Sequence, residues 1–141
     1  MVIITNLSSS TYYDELVSKT GCDKDKRIKF INGVYDQEKL ATIRKNAYLY
    51  IHGHSVGGTN PSLIEAISLT DFNILYDVCF NKDIGGKTCL YFKDDNSLVK
   101  LLDDEKMLSD SKKKLGSKAK KLFYDKFTWD KIVEQYKIVF K

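Results

Sequence analysis

Residues 47–68 read Ala47-Tyr-Leu-Tyr-Ile-His-Gly-His-Ser-Val-Gly-Gly-Thr-Asn-Pro-Ser-Leu-Ile-Glu-Ala-Ile-Ser68. The run from Ala47 to Ile51 is apolar and strand-like, and Leu63 to Leu69 is apolar and helix-like, with a glycine-rich turn between them. A strand that feeds such a turn into a helix leaves backbone N–H groups unpaired at the helix start, aimed beyond the strand end. Anions, and phosphates above all, suit that place.

Working outward, Val2 to Thr5 is a short β-branched run, and the polar stretch Asn6-Leu-Ser-Ser-Ser-Thr11 is expected to cap a helix outlined by Tyr12, Tyr13, Leu16 and Val17. Gly21 stops that helix, a charged connection crosses Asp23 to Lys26, and Ile28 to Ile31 forms a second strand closed by Asn32-Gly33. Asp36 caps a helix with Leu40, Ile43 and Ala47 on its apolar side. Ala47 to Ile51 is expected as the third strand, Asn73 to Val78 as the fourth and Cys89 to Phe92 as the fifth, with Asn81 to Gly86 a loop. From Ser97 the pattern is helical to the end, with a fresh start at Thr128-Trp-Asp130.

Strands alternating with helices of about ten residues are the signature of βαβ units. The expected fold is therefore α/β, a Rossmann-like parallel sheet flanked by helices. In such sheets ligands bind outside the carboxyl ends of the strands. The turns after Asn6, Gly33, His52 and Val78 are expected to open on one edge and to converge on one crevice.

The chain has 141 residues, the size of one domain, and residues 1–141 are read as a single domain that ends in amphipathic helices over about 97–141. Its 43% hydrophobic and 30% charged residues, with one Pro and eight Gly, exclude disordered and fibrous classes. Cys22, Cys79 and Cys89 show no CxxC spacing, so neither a disulfide framework nor a zinc site is encoded, which fits a cytoplasmic chain. The net charge of +4 is modest, and basic residues do not interleave with aromatic ones, so nucleic acid is not an expected partner.

The segment from Ala47 to Ser68 resembles the donor-binding motif of the group 1 retaining glycosyltransferases of GT-B fold. In that family two Glu residues bracket the glycine-rich turn and the first helical turn, the second followed by a small and then an apolar residue. Glu65-Ala-Ile67 fits the second, whereas Gly57 stands in place of the first. The version Gly57-Gly-Thr-Asn-Pro-Ser-Leu-Ile-Glu-Ala66 is most similar to the branch that builds capsular polysaccharide and O-antigen, rhamnosyltransferases included. Other segments resemble the family in order: Arg27 to Gly33, Tyr35, Arg44-Lys-Asn-Ala47, Asn73 to Val78, Phe80 to Asp83, Leu90-Tyr-Phe92 and Phe127 to Asp130.

The resemblance implies the C-terminal, donor-binding half of such an enzyme, lacking its first βα unit, which would precede Met1. It implies transfer of a hexose or 6-deoxyhexose, rhamnose among them, from a nucleotide diphosphate donor to a glycan or lipid-linked acceptor held by another domain. The half alone is not expected to transfer sugar. The N–H groups of Gly57, Gly58 and Thr59 would face the diphosphate, Glu65 the ribose hydroxyls, and Gly33 and Val34 the base. With a glycine at 57, sugar recognition falls to backbone, Thr59, Asn60, His54 or Ser55, and no catalytic residue is assigned.

Other readings stand beside this one. By spacing alone the turn fits an ordinary strand-to-helix connection in which Gly and Asn supply positive φ and Asn60 or Thr59 caps the helix. A non-catalytic Rossmann-like module that binds a nucleotide or a protein would look the same. A response-regulator-like domain would need acidic residues clustered at the strand ends, and none stand there. His52 and His54 are expected to project to opposite sides of the strand end, and with no third ligand near them neither a metal nor another cofactor is expected. Lys112 to Lys121 is either the solvated face of a helix or a contact with the inner face of a membrane or a lipid diphosphate.

Overall fold

The computed structural model describes residues 1–5 and 11–140. The chain is α/β, with two small parallel sheets flanked by helices. It divides into two compact units, Met1–Leu40 and Ala41–Lys141.

The first unit holds β1 (Val2–Ile4), α1 (Thr11–Thr20), a 3-10 turn at Cys22–Lys24 and β2 (Lys29–Ile31). β1 and β2 pair in parallel with Ile3 opposite Phe30, as a strand–helix–strand connection requires. Tyr13 of α1 sets its ring edge-on to Phe30 at 5.2 Å. Gly21 ends α1 in the left-handed conformation (φ 62°), its N–H bonding to the Val17 carbonyl. Asp36 accepts a hydrogen bond from the Lys39 N–H at 3.1 Å and so caps α2 (Gln37–Asn46), the helix through which the boundary between the units runs. The proposed cap of α1 and the turn after Asn6 fall on residues 6–10, outside the described residues.

The second unit continues with β3 (Tyr50–His52), α3 (Pro61–Leu69), β4 (Asn73–Tyr76), α4 (Cys79–Gly85), a 3-10 turn at Gly86–Thr88 and β5 (Leu90–Phe92). α5 (Asp95–Asp103), α6 (Glu105–Lys126) and α7 (Trp129–Val139) follow. β4 lies between β3 and β5, all parallel, with Ile51 opposite Ile74 and Ile74 opposite Leu90. Successive strand residues point to opposite faces, and each face has its own core. Leu75 packs with Leu63 and Ile67 of α3, Ile84 of α4 and Ala119 of α6, while Tyr50 and Tyr91 line the same cluster. Ile74 and Phe92 pack on the other side with Phe72 and Leu108, covered by Leu98, Leu101 and Leu102 of α5. Burial on both faces is what a parallel sheet needs.

Two sequence expectations change. Ala47 to Leu49 do not join β3, because the Ala47 N–H bonds to the Arg44 carbonyl and closes α2. The expected loop from Asn81 to Gly86 is largely helical. Ile84 is buried, and the fully buried Asn81 spends its side-chain amide on two carbonyls, so tertiary packing overrides the turn tendency of Asn and Gly.

α6 approaches the corner before β4 at Gly116. A Cβ there would stand 2.8 Å from the Asp71 carbonyl oxygen, and the Lys120 ammonium reaches the Asp71 carboxylate at 2.6 Å. Among the described residues no helix is long and apolar enough to cross a membrane.

Candidate functional site

The turn from Gly53 to Thr59 leaves the carboxyl end of β3 and is exposed throughout. It carries His54, Ser55, Gly57, Gly58 and Thr59. Asn60 then takes the N-cap position of α3: its side-chain oxygen accepts from the Ser62 N–H at 2.9 Å, and Pro61 follows at the first helical position. The Leu63 and Ile64 N–H groups both bond to the Asn60 carbonyl. The helix's own first donors are therefore used internally. Among the described residues the N–H groups of Gly57, Gly58 and Thr59 donate to no protein acceptor, and these are the donors left for an anion beside the positive helix end.

Gly57 has φ +120°, a conformation that side-chain-bearing residues rarely adopt, whereas Gly58 does not, and a Cβ at either would meet open space. Glycine at position 57 therefore has a backbone reason.

Glu65 lies in α3 just past its first turn and forms an ion pair with Arg44 of α2. The guanidinium is buried and the carboxylate half exposed. Arg44 is further fixed through its backbone, since the buried Thr70 hydroxyl donates to the Arg44 carbonyl at 3.0 Å. Tyr50 stands near both charges. Its phenol is pushed above its ordinary range, chiefly by burial; Arg44 works against that shift and Glu65 adds to it.

Beneath the turn, His52 is buried at 1% exposure, its Nδ1 3.2 Å from the Tyr50 hydroxyl. Burial, and then the neighbouring His54, bring its pKa down to about 4, so the ring is neutral at pH 7. Its Nε2 is buried without a partner among the described residues. His54 does not project to the opposite side as expected: the two rings stack, with centroids 4.6 Å apart. The reason is the alternation of an extended chain, in which residues two apart share a side.

Asn81 of α4 ties this turn to the end of β4, donating to the His54 carbonyl at 3.1 Å and to the Tyr76 carbonyl at 2.9 Å. The turns after His52 and Val78 are therefore joined, as expected. Gly33 and Val34 lie in the first unit, in the connection between β2 and α2.

Arg44, Tyr50, His52 and Asn81 join the site although no motif in the sequence marks them as parts of it. Arg44 had one local signal, a cation in the last turn of a helix. Asn81 had none. No group of three or more His, Cys, Asp or Glu residues suited to a metal ion occurs among the described residues. No family model matches the chain, and no curated protein matches it significantly.

Proposed function

We propose that this chain is the donor-binding half of a retaining glycosyltransferase of GT-B type, holding a nucleotide diphosphate hexose or 6-deoxyhexose for transfer to a glycan acceptor. The observation that carries the reading is the placement of Glu65. It stands beyond three N–H groups that donate to no acceptor among the described residues, and its carboxylate pairs with a buried arginine while staying half exposed, open to a diol. A carboxylate accepts two hydrogen bonds from vicinal ribose hydroxyls, and the N–H groups with the helix dipole supply positive potential to the diphosphate. In transfer, the same donors stabilise the charge that grows on the departing diphosphate. The sugar is left to the backbone of the turn with Thr59, His54 and Ser55. Capsule or O-antigen synthesis, with rhamnose as one candidate sugar, is the process this reading assigns.

Calorimetric titration of UDP, dTDP and GDP tests it. One of them should bind the intact chain, and Glu65→Gln should weaken that binding about tenfold or more, the loss of charge-assisted hydrogen bonds. A non-catalytic nucleotide- or protein-binding module is the second reading, favoured by the engagement of Glu65 with Arg44, which a purely structural ion pair would also show. Equal binding by the variant, or none by the intact chain, supports it.

A further inference from the structure

α7 turns an apolar stripe to solvent. Trp129, Val133 and Tyr136, with Phe140 just past the helix end, follow the i, i+4, i+7, i+11 spacing of one helix face. Trp129 is 82% and Phe140 80% exposed, with Val133 and Tyr136 also exposed, and the Tyr136 and Phe140 rings stack at 6.1 Å. Half-buried Ile132 lies beside this stripe, whereas Asp130, Glu134 and Lys137 lie away from its centre.

The charge of the two-helix segment that carries this stripe is one-sided. Residues 105–141 hold eleven Lys against five Asp and Glu, a surplus of six positive charges, whereas the whole chain nets +4, so the remainder is slightly acidic. On α6, Lys113, Lys114 and Lys118 are exposed, and they form no ion pair among the described residues. α6 ends at Phe127 and α7 starts from Thr128, so the two helices meet at this corner. A second copy of this chain on the stripe would bring like charges together, while an anionic surface would meet opposite ones.

We propose that α6 and α7 dock this chain on an anionic lipid bilayer, with the α7 stripe entering the interface and the unpaired lysines of α6 lying over the headgroups. Trp and Tyr suit that depth because an apolar ring and a polar edge are served together, and the lysines add a salt-sensitive attraction. The inference stands on α6 and α7 and does not depend on the donor site.

Trp129 is the only tryptophan, so its emission reports on the stripe directly. With vesicles of phosphatidylcholine and phosphatidylglycerol in equal parts, the emission should shift to the blue and the chain should sediment with the vesicles. With phosphatidylcholine alone it should do neither. Changing Lys113, Lys114 and Lys118 together to Gln should weaken binding about tenfold or more. Val133→Asp should remove the blue shift while circular dichroism and the melting curve stay as they are, since Val133 is exposed. Absence of binding to the mixed vesicles overturns the proposal, and so does binding that Val133→Asp leaves intact. Concentration-dependent dimerisation lost in Val133→Asp, without vesicle binding, assigns the stripe to a second copy instead.

Discussion

Arg44 and Glu65 form an ion pair whose two partners sit in different surroundings: the arginine side chain is 9% exposed and the glutamate 45%. The difference decides how the pair works. A cation taken out of water needs its anion, so the arginine cannot let go, whereas the carboxylate keeps a wet side on which it can accept further hydrogen bonds. The glutamate is thereby oriented before any ligand arrives.

Glu65→Ala strands a buried guanidinium. Thermal unfolding should show a loss of about 2 kcal/mol, below the range for a fully buried pair because the carboxylate side is hydrated. Glu65→Gln retains an acceptor for Arg44 and should lose about 1 kcal/mol or less. A melting curve for Glu65→Ala that matches the parent would mean the pair is not held in solution.

Asn81 fixes the turn at the His54 carbonyl. Asn81→Ala leaves the His54 carbonyl without its donor and the Tyr76 carbonyl with the Val78 N–H alone, and should cost about 2 kcal/mol in chemical denaturation. Asn81→Asp should cost more than Ala, since a carboxylate sets acceptors against acceptors. Amide hydrogen exchange across 53–58 should speed up in both.

These two contacts mark what the sequence makes legible and what it does not. Gly21 stopping α1, Asp36 starting α2, Asn60-Pro61 opening α3 and Thr128 opening α7 are all read from a few adjacent residues, because caps are local hydrogen bonds. The Arg44–Glu65 pair and the reach of Asn81 to His54 link residues more than twenty positions apart. Nothing in either local stretch specifies the partner. The same limit hid α4, whose polar Asn81-Lys-Asp83 and closing glycines read as a loop until the burial of Ile84 is known. It also hid the division of the strands into a two-stranded and a three-stranded ladder, since strand pairing is set by packing on both faces.

His52 sets a pH dependence. Its folded pKa of about 4 lies below the ordinary 6.5, so the unfolded chain binds the extra proton first. The contribution is fully present above pH 6.5 and is lost as pH falls through the folded value near 4, amounting to about 3 kcal/mol. Stability measured between pH 7 and 4 should fall in the parent and flatten in His52→Gln. Asp25 beside Arg27, Asp71 beside Lys120 and Asp94 at its cap with Ser97 titrate below their ordinary range, so most of their effect follows at still lower pH.

Gly57 and Gly58 should separate cleanly. Gly57→Ala forces a side chain onto φ +120° and should destabilise by about 1 kcal/mol or more, although no atom blocks the Cβ. Gly58→Ala meets neither strain nor contact and should change the melting temperature little.

On the proposed function, the exposed N–H groups of the turn and the Glu65 carboxylate hold one nucleotide diphosphate. Its most direct test is an amide NMR titration with UDP, dTDP and GDP. One of them should shift the amides of Gly57, Gly58, Thr59 and Glu65 together, saturably, and Glu65→Gln should weaken the response while Gly21 and Gly86 stay still in both. Shifts confined to the lysine-rich face of α6, or a response that Glu65→Gln leaves unchanged, would contradict it.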